Sequence, residues 1–194
     1  MCCLLYRVSG LEVFGVEMDK RAADLCKRNI DLNMFKAKIC NINIANTIRE
    51  LKSVSFDHVF MNPPYFKQNS VKKSHTLSSH QAKVESMPLS AWFSVAKNRC
   101  KPNGKITIIQ RVERLPDIIN CLNGYFGQVT VQPISSFKDT SPKTVIVQAT
   151  KTSGAAFKLL APKIVHRRDG ISGKVVYEDE FKKILRYGHP LQLN

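Results

Sequence analysis

Strands and helices alternate along this 194-residue chain in the order that an open, doubly wound α/β sheet requires. Three stretches carry that expectation. Residues 11–16 alternate in character, run into Glu17 and lead to an amphipathic helical stretch; a strand, a terminal acid and then a helix is how such folds present a carboxylate to the ribose hydroxyls of a nucleoside. Residues 56–61 form a short apolar run that stops at Asn62-Pro63-Pro64-Tyr65, because two successive prolines supply no ladder donors. Residues 129–133 and 144–150 are two further strands, joined by residues 134–143 as an antiparallel closing pair.

Taken in order, residues 1–8 have apolar positions at helical spacing and Ser9-Gly10 ends them, which predicts the last turns of a helix. Asp19 is placed to cap the next helix, Ala22, Ala23, Cys26 and Ile30 mark its apolar face, and Asn33 closes it. Residues 36–41 are the next strand, followed by Asn43. After the proline pair, residues 67–86 are polar and rich in Lys, Ser and His; they are expected either to grip a polyanionic substrate through cations such as Lys72 and Lys73 or to form a solvated surface loop. Residues 88–99 predict an amphipathic helix with Trp92 in the core, Lys101-Pro102-Asn103-Gly104 a turn, residues 105–110 a β-branched strand, and residues 115–122 a short helix with Pro116 in its first turn. Residues 161–194 read as a basic extension with Lys163, His166, Arg167, Arg168 and Lys174, in which Glu178-Asp179-Glu180 starts a last helix over 181–187.

Thirty Lys and Arg against fifteen Asp and Glu give a formal charge of +15, an excess that points to a polyanionic partner. RNA is the natural candidate, with DNA or an acidic protein also compatible. The six cysteines show no C-x-x-C pair and the histidines no ligand spacing, so free thiols in a reducing compartment and no metal are expected. Without a charged leader or a bilayer-length apolar run, the expected location is cytoplasmic and the chain a single domain.

The chemistry is concentrated at Asn62-Pro63-Pro64-Tyr65-Phe66. Open α/β sheets bind ligands at the carboxyl ends of their strands. Pro64 holds Pro63 extended and Pro63 does the same to Asn62, so the Asn62 amide oxygen and the Pro63 carbonyl become a stiff pair of acceptors. Such a pair suits a planar amino group, with Tyr65 or Phe66 stacked on the ring that carries it.

Asn62-Pro63-Pro64-Tyr65 resembles the catalytic motif of S-adenosylmethionine-dependent methyltransferases that act on nitrogens of adenine, cytosine or glutamine. With Gly15-Val16-Glu17, Asn29 and Asn33, Phe56-Asp57, Lys101-Pro102-Asn103-Gly104, Ile164-Val165-His166 and Asp169-Gly170, the chain is most similar to the small-domain methyltransferases that modify adenine next to the anticodon of a valine transfer RNA. The resemblance implies a Rossmann-like sheet closed by an antiparallel pair, S-adenosylmethionine as cofactor and tRNA as partner, with no membrane or metal involved. It implies that Asn62, Pro63 and Tyr65 are catalytic; that Pro64, Phe66, Lys72, Lys73, Arg167 and Arg168 contact substrate; and that Glu17, Asn43 and Asn62 bind cofactor. Asn43 stands where relatives often carry an Asp on the cofactor's adenine, and Glu17 is either the ribose ligand or a solvated strand-end acid. The family begins with a strand and a Gly-rich turn of the form D/E-x-G-x-G-x-G. This chain starts after that point, so residues 1–194 are expected to be one class I methyltransferase domain missing its first strand, with 161–194 as a basic extension. The alternatives are a glutamine methyltransferase of release factors and a non-catalytic RNA-binding remnant.

Overall fold

A computed structural model describes residues 8, 10–44, 51–64 and 87–193, and it divides the chain into two compact units, Met1–Val54 and Ser55–Asn194. Residues 1–7 of the expected helix, Cys2 and Cys3 among them, and the polar stretch 67–86 lie outside the described residues.

In the first unit, β1 (Val13–Glu17) and β2 (Ala37–Asn41) run parallel, from Val13 opposite Ala37 to Glu17 opposite Asn41, and α1 (Lys20–Leu32) connects them. α1 starts where the sequence places it: the Asp19 carboxylate accepts the Ala22 N–H at 2.9 Å, satisfying one of the donors that every helix start leaves open. It ends at Asn33, whose N–H and side-chain amide both donate to the Asn29 carbonyl, at 3.3 and 2.8 Å. Of the expected apolar face Ala23 and Ile30 are buried and Cys26 is half-buried, while Ala22, one position off the buried stripe, is exposed; Cys40 of β2 is buried as well.

The second unit is built on a mixed sheet with the order β3-β4-β6-β5-β7. β3 (Phe56–Met61) and β4 (Cys100–Arg111) are parallel and joined through α2 (Leu89–Arg99). A 3-10 turn (Val112–Arg114) and α3 (Leu115–Leu122) lead to β5 (Phe126–Ser135), and β6 (Thr144–Lys151) returns antiparallel between β4 and β5, the closing pair read from the sequence. Burial along β6 alternates strictly, with Val145, Val147 and Ala149 inside. These residues, with Ile106 and Ile108 of β4 and Val131 of β5, form one cluster with Leu89, Phe93 and Ala96 of α2 and Ile118 and Leu122 of α3. Each fully buried aliphatic side chain contributes about 1.5–3 kcal/mol relative to exposure. Trp92 packs against this cluster, as expected. Among the described residues β1 pairs only with β2 and β3 only with β4, and the strand that the family resemblance places first is not among them.

One expectation needs correction. The turn expected at Lys101–Gly104 lies inside β4: Phe56 pairs with Cys100 and His58 with Lys105, so four residues bulge opposite Asp57. The local composition does bend the chain there, with Asn103 at φ +60°, but pairing on both sides keeps it in the sheet. Gly104 is required, since an added Cβ would lie 2.8 Å from Cys100 Sγ and 2.9 Å from the Lys101 carbonyl. Lys101 Nζ clips the bulge to both Asp57 carboxylate oxygens, at 2.8 and 2.9 Å.

The basic segment after residue 160 consists of short strands and the expected last helix. β7 (Lys158–Leu159) and β8 (Lys163–Ile164) run parallel to β5, β9 (His166–Arg168) pairs antiparallel with β10 (Val175–Tyr177), and α4 (Asp179–Tyr187) ends at left-handed Gly188. Its anchor is Gln132, 1% exposed, which donates to the Ala161 carbonyl at 2.8 Å and to the Pro133 carbonyl at 2.9 Å. Cys26, Cys40, Cys100 and Cys121 are free thiols. Among the described residues no helix is long and apolar enough to cross a membrane.

Candidate active site

β3 delivers Asn62-Pro63-Pro64 to the carboxyl end of the second unit's sheet. Its ladder with β4 holds as far as Met61 opposite Ile108 and then stops, because Pro63 and Pro64 have no N–H to offer. The alternation of the strand continues past the stop. Met61 is 6% exposed and Pro63 is fully buried, while Phe60 and Asn62 are exposed, so Asn62 continues the face that carries His58 and Phe60. The Asn62 amide has no hydrogen-bond partner among the described residues. The Pro63 carbonyl, in contrast, is held from behind. Gln110 of β4, 0% exposed, donates from Nε2 to the carbonyls of Pro63 and Pro64, each at 3.2 Å, and its Oε1 accepts the Arg111 N–H at 2.9 Å. A side-chain amide thus satisfies the carbonyls of the proline pair where the ladder has stopped.

A second polar group lies on the exposed face of the strand. His58 Nε2 is 2.8 Å from Thr107 Oγ1, the ring stacks on Phe60 at 4.0 Å, and Thr107 Oγ1 also accepts from Gln148 Nε2 at 3.1 Å. Burial, reinforced by the charge of Lys105, holds the imidazole below its ordinary pKa. The neutral ring and the Thr107 hydroxyl share one hydrogen between Nε2 and Oγ1.

In the first unit, Glu17 is exposed at the carboxyl end of β1, and its Oε1 accepts the Asp19 N–H at 2.8 Å. Asn43 reaches the same turn, its Nδ2 lying 3.5 Å from Met18 Sδ. The two predicted cofactor residues of this unit therefore share one turn. The sequence reading passed over Asn41, which secures that turn by donating to the carbonyls of Glu17 and Met18 at 2.9 and 3.1 Å. Its signal was present in its position, a polar side chain ending β2 directly opposite Glu17.

Of the other expected residues, Tyr65, Phe66, Lys72 and Lys73 lie outside the described residues. Arg167 and Arg168 are neighbours in β9 and so point to opposite faces of the β9–β10 ribbon. Arg167 Nε lies 3.8 Å from Glu178, whereas the Arg168 guanidinium lies 6.0 Å from the Phe137 ring, on the side where His166 stacks on Tyr177 at 5.0 Å. Gln110 also escaped the sequence reading. It could have been found as the one amide in the inward series Ile106, Ile108, Gln110.

Comparison with known proteins places this geometry in a family. The methyltransferase small domain matches residues 2–137. A Methanocaldococcus jannaschii protein that carries a provisional methyltransferase name is 33% identical over 82 residues, 41% of this chain and 31% of that protein. The tRNA1(Val) (adenine(37)-N6)-methyltransferase of Porphyromonas gingivalis is 26% identical over 121 residues, 59% of this chain and 46% of that enzyme. The chain thus spans about a third to a half of the length of these curated relatives. The crystal structure of a predicted O-methyltransferase from Agrobacterium tumefaciens shares the fold, with a TM-score of 0.72 at 19% identity over 94% of this chain and 81% of that one. The family match runs through both the strand-end carboxylate of β1 and the Asn-Pro-Pro that follows β3, and the chain belongs to the methyltransferase small domain family.

Proposed function

We propose that this chain is the catalytic part of an S-adenosylmethionine-dependent N-methyltransferase that acts on the exocyclic amine of adenine in tRNA. The observation that carries the reading is the pairing, at one strand end, of an exposed Asn62 amide without a partner among the described residues and a buried, back-supported Pro63 carbonyl. Two acceptors on adjacent residues suit the two hydrogens of a planar amine. Holding them directs the nitrogen lone pair out of the plane, toward an electrophile, so the protein's contribution is mostly positioning. Tyr65 or Phe66 stacks on the flipped base and Pro64 stiffens the turn beneath it.

The residues at the end of β1 suit the nucleoside half of the cofactor. Glu17 is exposed with acceptor oxygens for ribose hydroxyls, and Asn43 on the same turn offers an amide to an adenine edge. S-adenosylmethionine, when bound, supplies a methyl group on a sulfonium. Lys72, Lys73, Arg167 and Arg168 contribute phosphate contacts that set affinity. The name of the Porphyromonas gingivalis relative supports adenine in tRNA as the substrate, and the net charge of +15 supports a polyanion over the release-factor alternative.

The test is transfer of a labelled methyl group from S-adenosylmethionine to a tRNA transcript by the full chain, together with titration of the cofactor alone. Asn62→Ala should lower transfer by about 10²-fold, the scale of a lost positioning contact, while RNA binding is unchanged. Full activity in Asn62→Ala would overturn the mechanism. Methylation of a release-factor glutamine in place of RNA would select the protein-substrate alternative, and RNA binding without transfer the remnant.

A further inference from the structure

We infer that Gln110 is a positioning residue for methyl transfer, its side-chain amide fixing the direction of the Pro63 carbonyl. The inference rests on the function proposed above and names a residue that the motif itself does not contain. Gln110 follows Ile106 and Ile108 on the covered face of β4, where an aliphatic side chain would continue the packing. A wholly buried amide persists there only with its hydrogen bonds satisfied, and here both Nε2 hydrogens and Oε1 have partners.

The orientation of that amide is determined. Oε1 accepts a backbone N–H, and turning the group over would set N–H against N–H and oxygen against the two proline carbonyls. A carbonyl has two lone pairs. Gln110 occupies one on Pro63 and leaves the other for an incoming donor. It also ties Pro64 by the same nitrogen, so the two peptide units that flank Pro64 are each held at their carbonyl. Neither proline can be held through its own nitrogen, which leaves their carbonyls as the points of attachment. The contact bears on the acceptor geometry and not on phosphate binding, so its loss belongs in kcat.

The experiment compares Gln110→Leu, which keeps the volume and removes the donors, with Gln110→Glu, which keeps the shape and turns the donors into acceptors. Gln132→Leu serves as control, since it removes an equally buried amide that holds the Ala161 carbonyl in the same sheet. Two readouts are taken on the full chain: the carbonyl 13C resonances of Pro63 and Pro64 in proline-labelled protein, and kcat and KM for methyl transfer to a tRNA transcript. We expect both carbonyl resonances to move in Gln110→Leu and in Gln110→Glu. Kcat should fall by about 10²-fold with KM within about threefold, and Gln132→Leu should leave the proline carbonyls and kcat unchanged, any effect falling on KM through the segment that carries Arg167 and Arg168. Gln110→Glu should regain part of its kcat relative to the unchanged protein as the pH is lowered, because a protonated carboxyl again donates one hydrogen bond to a proline carbonyl.

Unmoved proline carbonyls overturn the clamp, and moved carbonyls with an unchanged kcat, or a loss confined to KM, overturn its role in transfer. If Gln110→Leu does not fold, Gln110→Glu carries both readouts. If the unchanged chain transfers no methyl group, the proposed function fails and the role of Gln110 in transfer fails with it, while the carbonyl resonances still decide the clamp.

Discussion

In the unit Ser55–Asn194, Ile106, Ile108, Ile118, Val131, Val145, Val147 and Ala149 are all at most 1% exposed and belong to one cluster of sheet and helix residues. In the unit Met1–Val54, the apolar side chains divide differently. Ala23 and Ile30 of α1 are buried, while Leu25 and Leu32 of the same helix are 60% and 80% exposed and Met34 beyond it is 90% exposed. Both units carry polar groups at the carboxyl end of a parallel strand, Glu17 in one and Asn62 in the other. They differ in what stands behind those groups. Asn62-Pro63 is backed by a buried side-chain amide and a close-packed core, and Glu17 by an exposed turn tied by Asn41. Orienting an amine demands sub-ångström placement, whereas accepting bonds from two ribose hydroxyls tolerates a softer support.

The largest effect should come from breaking the denser side. Ile108→Ala empties a site that is walled on every side, and about 3–4 kcal/mol of global stability should be lost, read as a lower urea midpoint by circular dichroism. Ile30→Ala in α1 removes the same atoms from a smaller set of buried apolar residues, Ala23, Cys40 and Leu51 among the described ones, so the cost should be nearer about 2 kcal/mol. Hydrogen exchange separates the two. Ile30→Ala should speed exchange in α1 and leave the β4 amides at their original protection, whereas Ile108→Ala should speed both β4 and β6. Equal losses with the same exchange pattern would remove the distinction between the units.

A smaller, sharper probe is the helix start. Asp19→Ala removes the acceptor for the Ala22 N–H and should cost about 1 kcal/mol, again confined to exchange in α1. Because Asp19 also donates its own N–H to Glu17, the backbone bond that orders the carboxylate survives the substitution. Cofactor titration with Asp19→Ala should therefore lose far less than with Glu17→Ala.

What could be read from the sequence followed the same division. β3, α2, α3 and the β5–β6 pair were legible because alternation, helical spacing and prolines at strand or helix ends act locally. Asn62 was legible for the same reason, since Pro63 and Pro64 must end a ladder wherever they fall. The bulge at 101–104 was not, because Pro102-Asn103-Gly104 has the local chemistry of a turn, and only the distant partners Phe56 and His58 hold it in the strand. β7, β8, β9 and β10 are two or three residues long, too short for any period, and exist through pairing with β5 or with each other. Gln110 was visible as a buried amide that had to find partners, but naming them required the fold, since Pro63 lies 47 residues away. Arg167 and Arg168, both expected to contact substrate, lie on opposite faces of the β9–β10 ribbon because adjacent residues of a strand do.

The smallest effect expected is a pH dependence that belongs to the second unit alone. His58 is half-buried between Phe60 and Thr107, and burial together with Lys105 lowers its pKa from the ordinary 6.5. In the folded protein the ring therefore stays neutral at pH values where the unfolded chain has taken up a proton. The unfolded state binds more protons in that window, so stability is complete above about pH 6.5 and declines as the pH falls through 6.5 toward the folded value. A His58→Gln variant can keep a hydrogen bond to Thr107 without titrating. The melting temperature of the unchanged protein should drop more steeply than that of His58→Gln between pH 7 and pH 5.5, and the two should run parallel above pH 7. Exchange in α1 should show no difference between the two proteins at either pH. A drop of equal slope in both would assign the acid sensitivity to other groups and leave His58 as a packing residue of the exposed face.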